Sequence, residues 1–179
     1  LLALANMVPA KLTVADMGTG TGLLLPFLSA LADHVYAVDQ SAAMLRRARS
    51  RCQASQLENI TFIHKPLEDI EDEVPPCDAL LFHFVMHQVA RPSTMLKTAS
   101  SFVKPGGHIV IVDFLEHEDE QAKETFGSLW LGFPRTDIER WLHDSDVEPI
   151  YWHVFSGTDP ATDAPFPAFV AAGRKRPPT

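Results

Sequence analysis

Apolar positions follow two alternating rhythms along this chain. Short continuous apolar runs, at about 12–17, 34–39, 60–63, 78–82 and 108–114, read as strands. Their near-continuous apolar character predicts burial on both faces, as in a parallel sheet. Between them apolar residues return every third or fourth position, which predicts helices over Gly22–Ala32, Ala42–Ser55 and Pro92–Val103, and later over 116–126 and Thr136–His143. Two late runs, Val147–Phe155 and Pro165–Gly173, flank a loop rich in Asp, Pro and Gly and read as an antiparallel pair. Residues 1–10 read as a helix end or lead-in loop closed by Pro9.

The punctuation supports these boundaries. Pro26 falls in a first helical turn, where its missing N–H is tolerated. Ser41 is placed to cap a helix with Met44, Leu45 and Ala48 on one face. Lys104-Pro-Gly-Gly107 reads as a turn, and Thr136 with Glu139 three residues on as a capping box. The segment Pro66–Glu73 reads as an acidic, solvated loop. Alternating strands and helices predict an α/β fold: a Rossmann-like, doubly wound, mostly parallel seven-stranded sheet, helices on both faces, the last strand antiparallel. No linker divides residues 1–179, which read as one domain. The chain opens Leu-Leu-Ala-Leu without an initiator Met, so a preceding N-terminal segment is expected.

Candidate chemistry gathers at the first two strand ends. Val14-Ala-Asp-Met-Gly-Thr-Gly-Thr-Gly22 joins a buried strand to a helix through glycines that accept angles a Cβ forbids and admit a ligand close to the main chain. His34-Val-Tyr-Ala-Val-Asp39 is a second strand ending in a carboxylate, placed to accept from both hydroxyls of a ribose. A plain glycine turn explains the glycines but not Asp16 and Asp39 together. Nicotinamide cofactors use related geometry, usually with G-x-G-x-x-G; here the spacing is D-x-G-x-G-x-G.

Composition narrows the choice. A formal charge of −8 leaves no basic footprint over the whole domain, so nucleic acid is not the expected partner; Arg46, Arg47, Arg49 and Arg51 read as a solvated helix face. Cys52 and Cys77 offer neither a disulfide framework nor a metal spacing, and no metal site is expected. With no signal peptide visible and no apolar stretch long enough to span a bilayer, the expected compartment is the cytoplasm, without a membrane partner.

The glycine segment resembles motif I of the class I S-adenosylmethionine-dependent methyltransferases. Tyr36-Ala-Val-Asp-Gln-Ser41 is similar to motif II, Cys77–His87 to motif IV, and Val103-Lys-Pro-Gly-Gly-His-Ile-Val-Ile-Val-Asp113 to a segment of the small-molecule enzymes. Leu131–Leu142 resembles a subgroup near the quinone-biosynthesis methyltransferases, found alone or fused to arsenic-repressor-type winged-helix regulators. The resemblance implies S-adenosylmethionine as cofactor. Asp16, Gly18, Thr19 and Gly20 would hold its methionine part, Asp39 the ribose, and Gln40 would flank the adenine. Phe82 or His83 would lie beside the sulfonium. In Lys65-Pro-Leu-Glu68 a proline stands where many relatives carry the acid that bonds adenine, leaving Leu67 or Glu68 to substitute.

Methyl transfer asks the protein mainly for binding, alignment and exclusion of water; a base is needed only when the acceptor must lose a proton. His83 and His87 are the candidate catalytic residues, four apart and on one face if helical, with a structural histidine as the alternative. Trp130, Phe133 and Trp141 are spaced as core residues, although the resemblance sets their segment near the acceptor. The expected partner is a small-molecule acceptor, with a homodimer as a further option. Two other readings stay open: a catalytically idle cofactor-binding domain attached to a regulatory or DNA-binding partner, and a nicotinamide oxidoreductase.

Overall fold

The structure is a computed structural model that describes residues 12–70, 73–156 and 166–177, except for the side chains of Glu68, Gln121 and Ala122. The elements run β1 (Thr13–Met17), α1 (Leu25–Leu31), β2 (His34–Asp39), α2 (Ala42–Ala54), β3 (Ile60–His64), β4 (Cys77–His83), α3 (Pro92–Ser100), β5 (Val103–Phe114), α4 (Gln121–Phe126), α5 (Arg135–Asp144), β6 (Val147–Phe155) and β7 (Ala168–Lys175). Short 3-10 turns occupy Leu67–Asp69 and Met86–Gln88. The expected lead-in at residues 1–10 lies outside the described residues.

The strands form one seven-stranded sheet in the order β3-β2-β1-β4-β5-β7-β6. The first five are parallel neighbours, while β7 runs antiparallel to both β5 and β6. The chain steps from β1 to β2 and β3 on one side and returns to lay β4 on the other. The sheet therefore has its switch point between β1 and β4, where open α/β sheets bind ligands.

Burial follows the strand alternation. One face packs Met17, Leu80, Phe82, Ile109, Ile111 and Phe169 against Met95, Leu96 and Ala99 of α3 and Ile138 and Leu142 of α5. The other face packs Val14, Val35 and Ala37 against Leu25 and Leu28 of α1 and Ala48 and Cys52 of α2. Further along this second face Val110, Val112, Val170 and Ala172 are only half-buried.

Several local expectations shift. Pro26 does sit in the first turn of α1, and the Ser41 hydroxyl does accept from the Met44 N–H, at 3.3 Å. Lys104–Gly107, expected as a turn, is instead carried within β5, with an irregular register beside Cys77 and Ala79 and a φ of +80° at Gly106. The helix expected over 116–126 is confined to Gln121–Phe126. Thr136 is not a cap: α5 already begins at Arg135, after an extended Pro134 that fixes the chain's entry.

Candidate functional site

A cleft of about 580 Å³ opens at the switch point. Asp16, Gly18, Thr19 and Gly20 form its floor, Asp39, Gln40, Ser41 and Met44 one side, and His83–Val85, Gln88–Ala90 and Leu129 the other.

The floor is held by backbone bonds. The N–H groups of Gly18 and Thr19 both donate to the Val38 carbonyl, at 2.9 and 2.8 Å, which folds the loop back onto β2. Gly18 has a φ of +79°, and a Cβ there would meet the Val85 side chain at 2.5 Å. Glycine thus lets the loop pass directly beneath the opposite wall. Asp39 closes the loop: Oδ2 accepts from the Gly20 N–H at 2.8 Å and Oδ1 from the Ser41 N–H at 2.7 Å. One carboxylate therefore positions both the glycine loop and the start of α2.

Asp16 lies deeper, 2 % exposed, and its Oδ2 accepts the Thr19 hydroxyl at 2.7 Å. Burial pushes its carboxyl up to about 6; the Thr19 bond opposes this and the nearby Asp39 charge adds to it. An acid in that state favours a positively charged ligand group.

The wall after β4 departs from the helical expectation. His83 ends the strand and lines the cleft, with burial holding its imidazole below the usual value against the opposing pull of Asp113. The chain then turns at Phe84, whose φ is +50°, and enters the 3-10 turn. His87 consequently does not share a face with His83. It is 2 % exposed and its Nδ1 lies 2.8 Å from Asp113 Oδ1, a structural placement outside the cleft lining. Of the pair Phe82 and His83, the Phe82 side chain is fully buried in the core and His83 lines the cleft.

Leu67 lines the cleft from its 3-10 turn; the Glu68 side chain lies outside the described residues. Gln40 lines it too, its carbonyl 3.0 Å from His64 Nε2. Of the aromatic group, Phe133 is core, Trp141 packs on it edge-to-face, and Trp130 Nε1–H donates to the Val89 carbonyl at 2.8 Å. Leu129, unremarked in the sequence, is the residue of that segment that borders the cleft. Asp113 was also missed, although Ile109-Val-Ile-Val-Asp113 repeats the apolar-run-then-acid pattern of Asp16 and Asp39.

Residues 14–107 match the family model described as a methyltransferase domain. The chain belongs to the methyltransferase-domain family. Its fold and cofactor class are those of the class I S-adenosylmethionine-dependent methyltransferases, as the sequence motifs implied. It is 34% identical over 116 residues to the tRNA 5-carboxymethoxyuridine methyltransferase of Escherichia coli, covering 64% of this chain and 44% of that protein. It is 31% identical over 121 residues to the ubiquinone biosynthesis O-methyltransferase of Maricaulis maris, covering 67% of this chain and 47% of that protein. The chain thus spans about half the length of the curated relatives it matches. A solved structure of a putative methyltransferase from Bacillus halodurans superposes with a TM-score of 0.79 at 14% identity, covering 98% of each chain, which shows the shared fold. Among the described residues no helix is long and apolar enough to cross a membrane, and no group of three or more His, Cys, Asp or Glu side chains is placed to hold a metal ion.

Proposed function

We propose that this chain catalyses methyl transfer from S-adenosylmethionine to a small, uncharged organic acceptor, with residues 1–179 acting as one methyltransferase domain. The carrying observation is the pairing of Asp39 with the glycine loop at the switch point: a carboxylate already bonded to two backbone donors, beside a floor that Gly18 and Gly20 keep open. The residues fit the cofactor. Asp39 sits at the strand end suited to a ribose, the buried Asp16 carboxylate suits the ammonium of an amino acid, and Leu23, Met44 and Leu67 offer apolar surface to a base. Bound there, S-adenosylmethionine supplies a methyl group activated by its positive sulfur.

The chain's own work is alignment, exclusion of water and removal of a proton where the acceptor carries one. His83 is the base we assign to that proton, because its burial favours the neutral imidazole and it borders the cleft. Among the described lining residues there is no Lys or Arg, which favours an acceptor without carboxylate or phosphate at the reacting end. A second reading, an acceptor carried on RNA, is supported by the tRNA-modifying relative. The formal charge of −8 counts against it, and two of the four clustered arginines are engaged elsewhere, Arg49 over the Phe62 ring and Arg51 on the Thr21 carbonyl.

Calorimetric titration with S-adenosylhomocysteine, with NADH as control, tests the site. Transfer of labelled methyl to a panel of phenols and N-heterocycles, and to bulk tRNA, tests the acceptor. Binding of S-adenosylhomocysteine alone with label entering the small molecules is the expected result. Label entering tRNA would establish the second reading. Binding without turnover on any acceptor would favour an idle cofactor-binding domain.

A further inference from the structure

The cleft wall opposite Asp39 contains a hydrogen-bond relay in which each member has a fixed sense. Asp113, 0 % exposed at the end of β5, accepts from the N–H groups of Met86 (2.9 Å), His87 (3.3 Å) and Phe114 (2.8 Å). A carboxylate surrounded by donors makes the fourth partner, His87 Nδ1 at 2.8 Å, a donor as well. In the neutral form of an imidazole that donates from Nδ1, the lone pair is on Nε2. That atom lies 3.3 Å from Gln88 Nε2, which also donates to the Phe126 carbonyl at 3.0 Å. Both neighbours of the Gln88 amide are acceptors, so the amide nitrogen must face them. The reverse orientation would set its oxygen against a carbonyl oxygen and a bare imidazole nitrogen.

Gln88 lines the cleft beside Val85, Val89 and Leu129. The N–H groups of Leu129 and Trp130 both donate to the His87 carbonyl, at 2.8 and 3.1 Å, so the wall is braced on either side of the glutamine. Resting on the reading of this cleft as a methyl-transfer site, we propose that Gln88 is a specificity-determining residue. Its Oε1 is oriented by Asp113 through His87 to accept a hydrogen bond from a hydroxyl or N–H group of the methyl acceptor. Asp113 and His87 are positioning residues for it. An acceptor with a donor group is favoured there, and its fully alkylated counterpart is not.

The relay is tested by NMR on the 15N-labelled protein, with phenol and anisole as probes in the presence of S-adenosylhomocysteine. The expected signature of His87 is the Nδ1-protonated tautomer, which the orientation of Gln88 requires; the readout that a purely structural contact would not move is the preference between the two probes. Phenol is expected to bind about fivefold more tightly than anisole, the discrimination typical of one net hydrogen bond, and to shift the Gln88 side-chain amide signals. In Gln88→Leu, an exposed position whose replacement leaves the core intact, the two probes should bind alike. An Nε2-protonated His87, equal binding of the probes to the native chain, or a phenol preference that survives Gln88→Leu would each overturn the proposal. The tautomer is read on the protein alone. Failure there falls on this relay, whereas failure of S-adenosylhomocysteine to bind falls on the methyl-transfer reading.

Discussion

The Thr19 hydroxyl donates to Asp16 Oδ2 at 2.7 Å across the turn that leaves β1, and this is the bond that opposes the burial of the Asp16 carboxyl. Burial prevails, so Asp16 in the folded chain takes up its proton at about 6 rather than 3.8. Between those values the folded state binds more protons than the unfolded one, and stability falls as pH rises through that window, then levels. Asp16→Asn should therefore raise the stability of the ligand-free protein at pH 7, by an amount on the order of 2 to 3 kcal/mol at most, with the gain vanishing below about pH 4. Urea titrations of both proteins at pH 4 and pH 7 check this. A variant less stable at pH 7 would show that the site does not penalise the charge. The same Asp16→Asn change should weaken S-adenosylhomocysteine binding.

Asp39 supports the opposite expectation. Its two oxygens are already bonded to Gly20 and Ser41 N–H groups, and its place at the β2 end suits a ribose. Asp39→Ala removes a charged acceptor worth about 1.5–3 kcal/mol per bond, so affinity for S-adenosylhomocysteine should fall by roughly 10- to 100-fold in calorimetry. Unchanged affinity would remove Asp39 from the site.

Gly18 and Gly20 should respond differently to alanine. Both have positive φ, +79° and +56°, which costs a residue with a Cβ about 1–2 kcal/mol. At Gly18 the new methyl group also meets Val85 Cγ2 at 2.5 Å, while at Gly20 nothing lies within 4 Å. Gly18→Ala should lower the melting temperature clearly more than Gly20→Ala does. Gly20→Ala should lose ligand affinity out of proportion to its small stability cost, because its methyl group projects at the cleft floor. Paired thermal melts and titrations separate the two effects.

Both thiols should be silent in the folded chain. Burial pushes Cys77 up to about 12, Lys104 pulling against this and Asp78 adding to it, and burial likewise raises Cys52 despite Arg51. Thiolate is the reactive form, so alkylation at pH 8 should follow global unfolding and not local exposure. Labelling rates that track the denaturant-dependent unfolding equilibrium check this; rapid labelling in native buffer would contradict it.

Much of this architecture was legible because its signals are local. Apolar runs ending in Asp16 and Asp39, Pro26 in a first turn and Ser41 before α2 each state their structure within a few residues. What escaped the sequence depends on neighbours brought together by the fold. His83 and His87 suggested one helical face, but a bulky residue at positive φ, Phe84, turns the chain between them, and no residue type marks such a turn. Asp113 carried the visible strand-end pattern, yet its partners lie 26 and 27 residues back on the turn after β4, a relation only sheet order reveals. Thr136 looked like a cap because the pattern ignores Pro134, which already sets the entry into α5.

The return of β4 to the flank of β1 has a consequence in time. A nascent chain that has reached His64 already contains the glycine loop and both carboxylates, Asp16 and Asp39. It lacks the strand on the other side of β1, whose Asp78 takes the Thr13 N–H 65 residues later. The far wall waits longer still, for Asp113 to fasten the turn at Met86 and His87. The cleft is therefore completed well after its floor has emerged. A ligand that needs both walls can hold only a chain synthesised past β5, which makes occupancy of the cleft a report that the five parallel strands are in place.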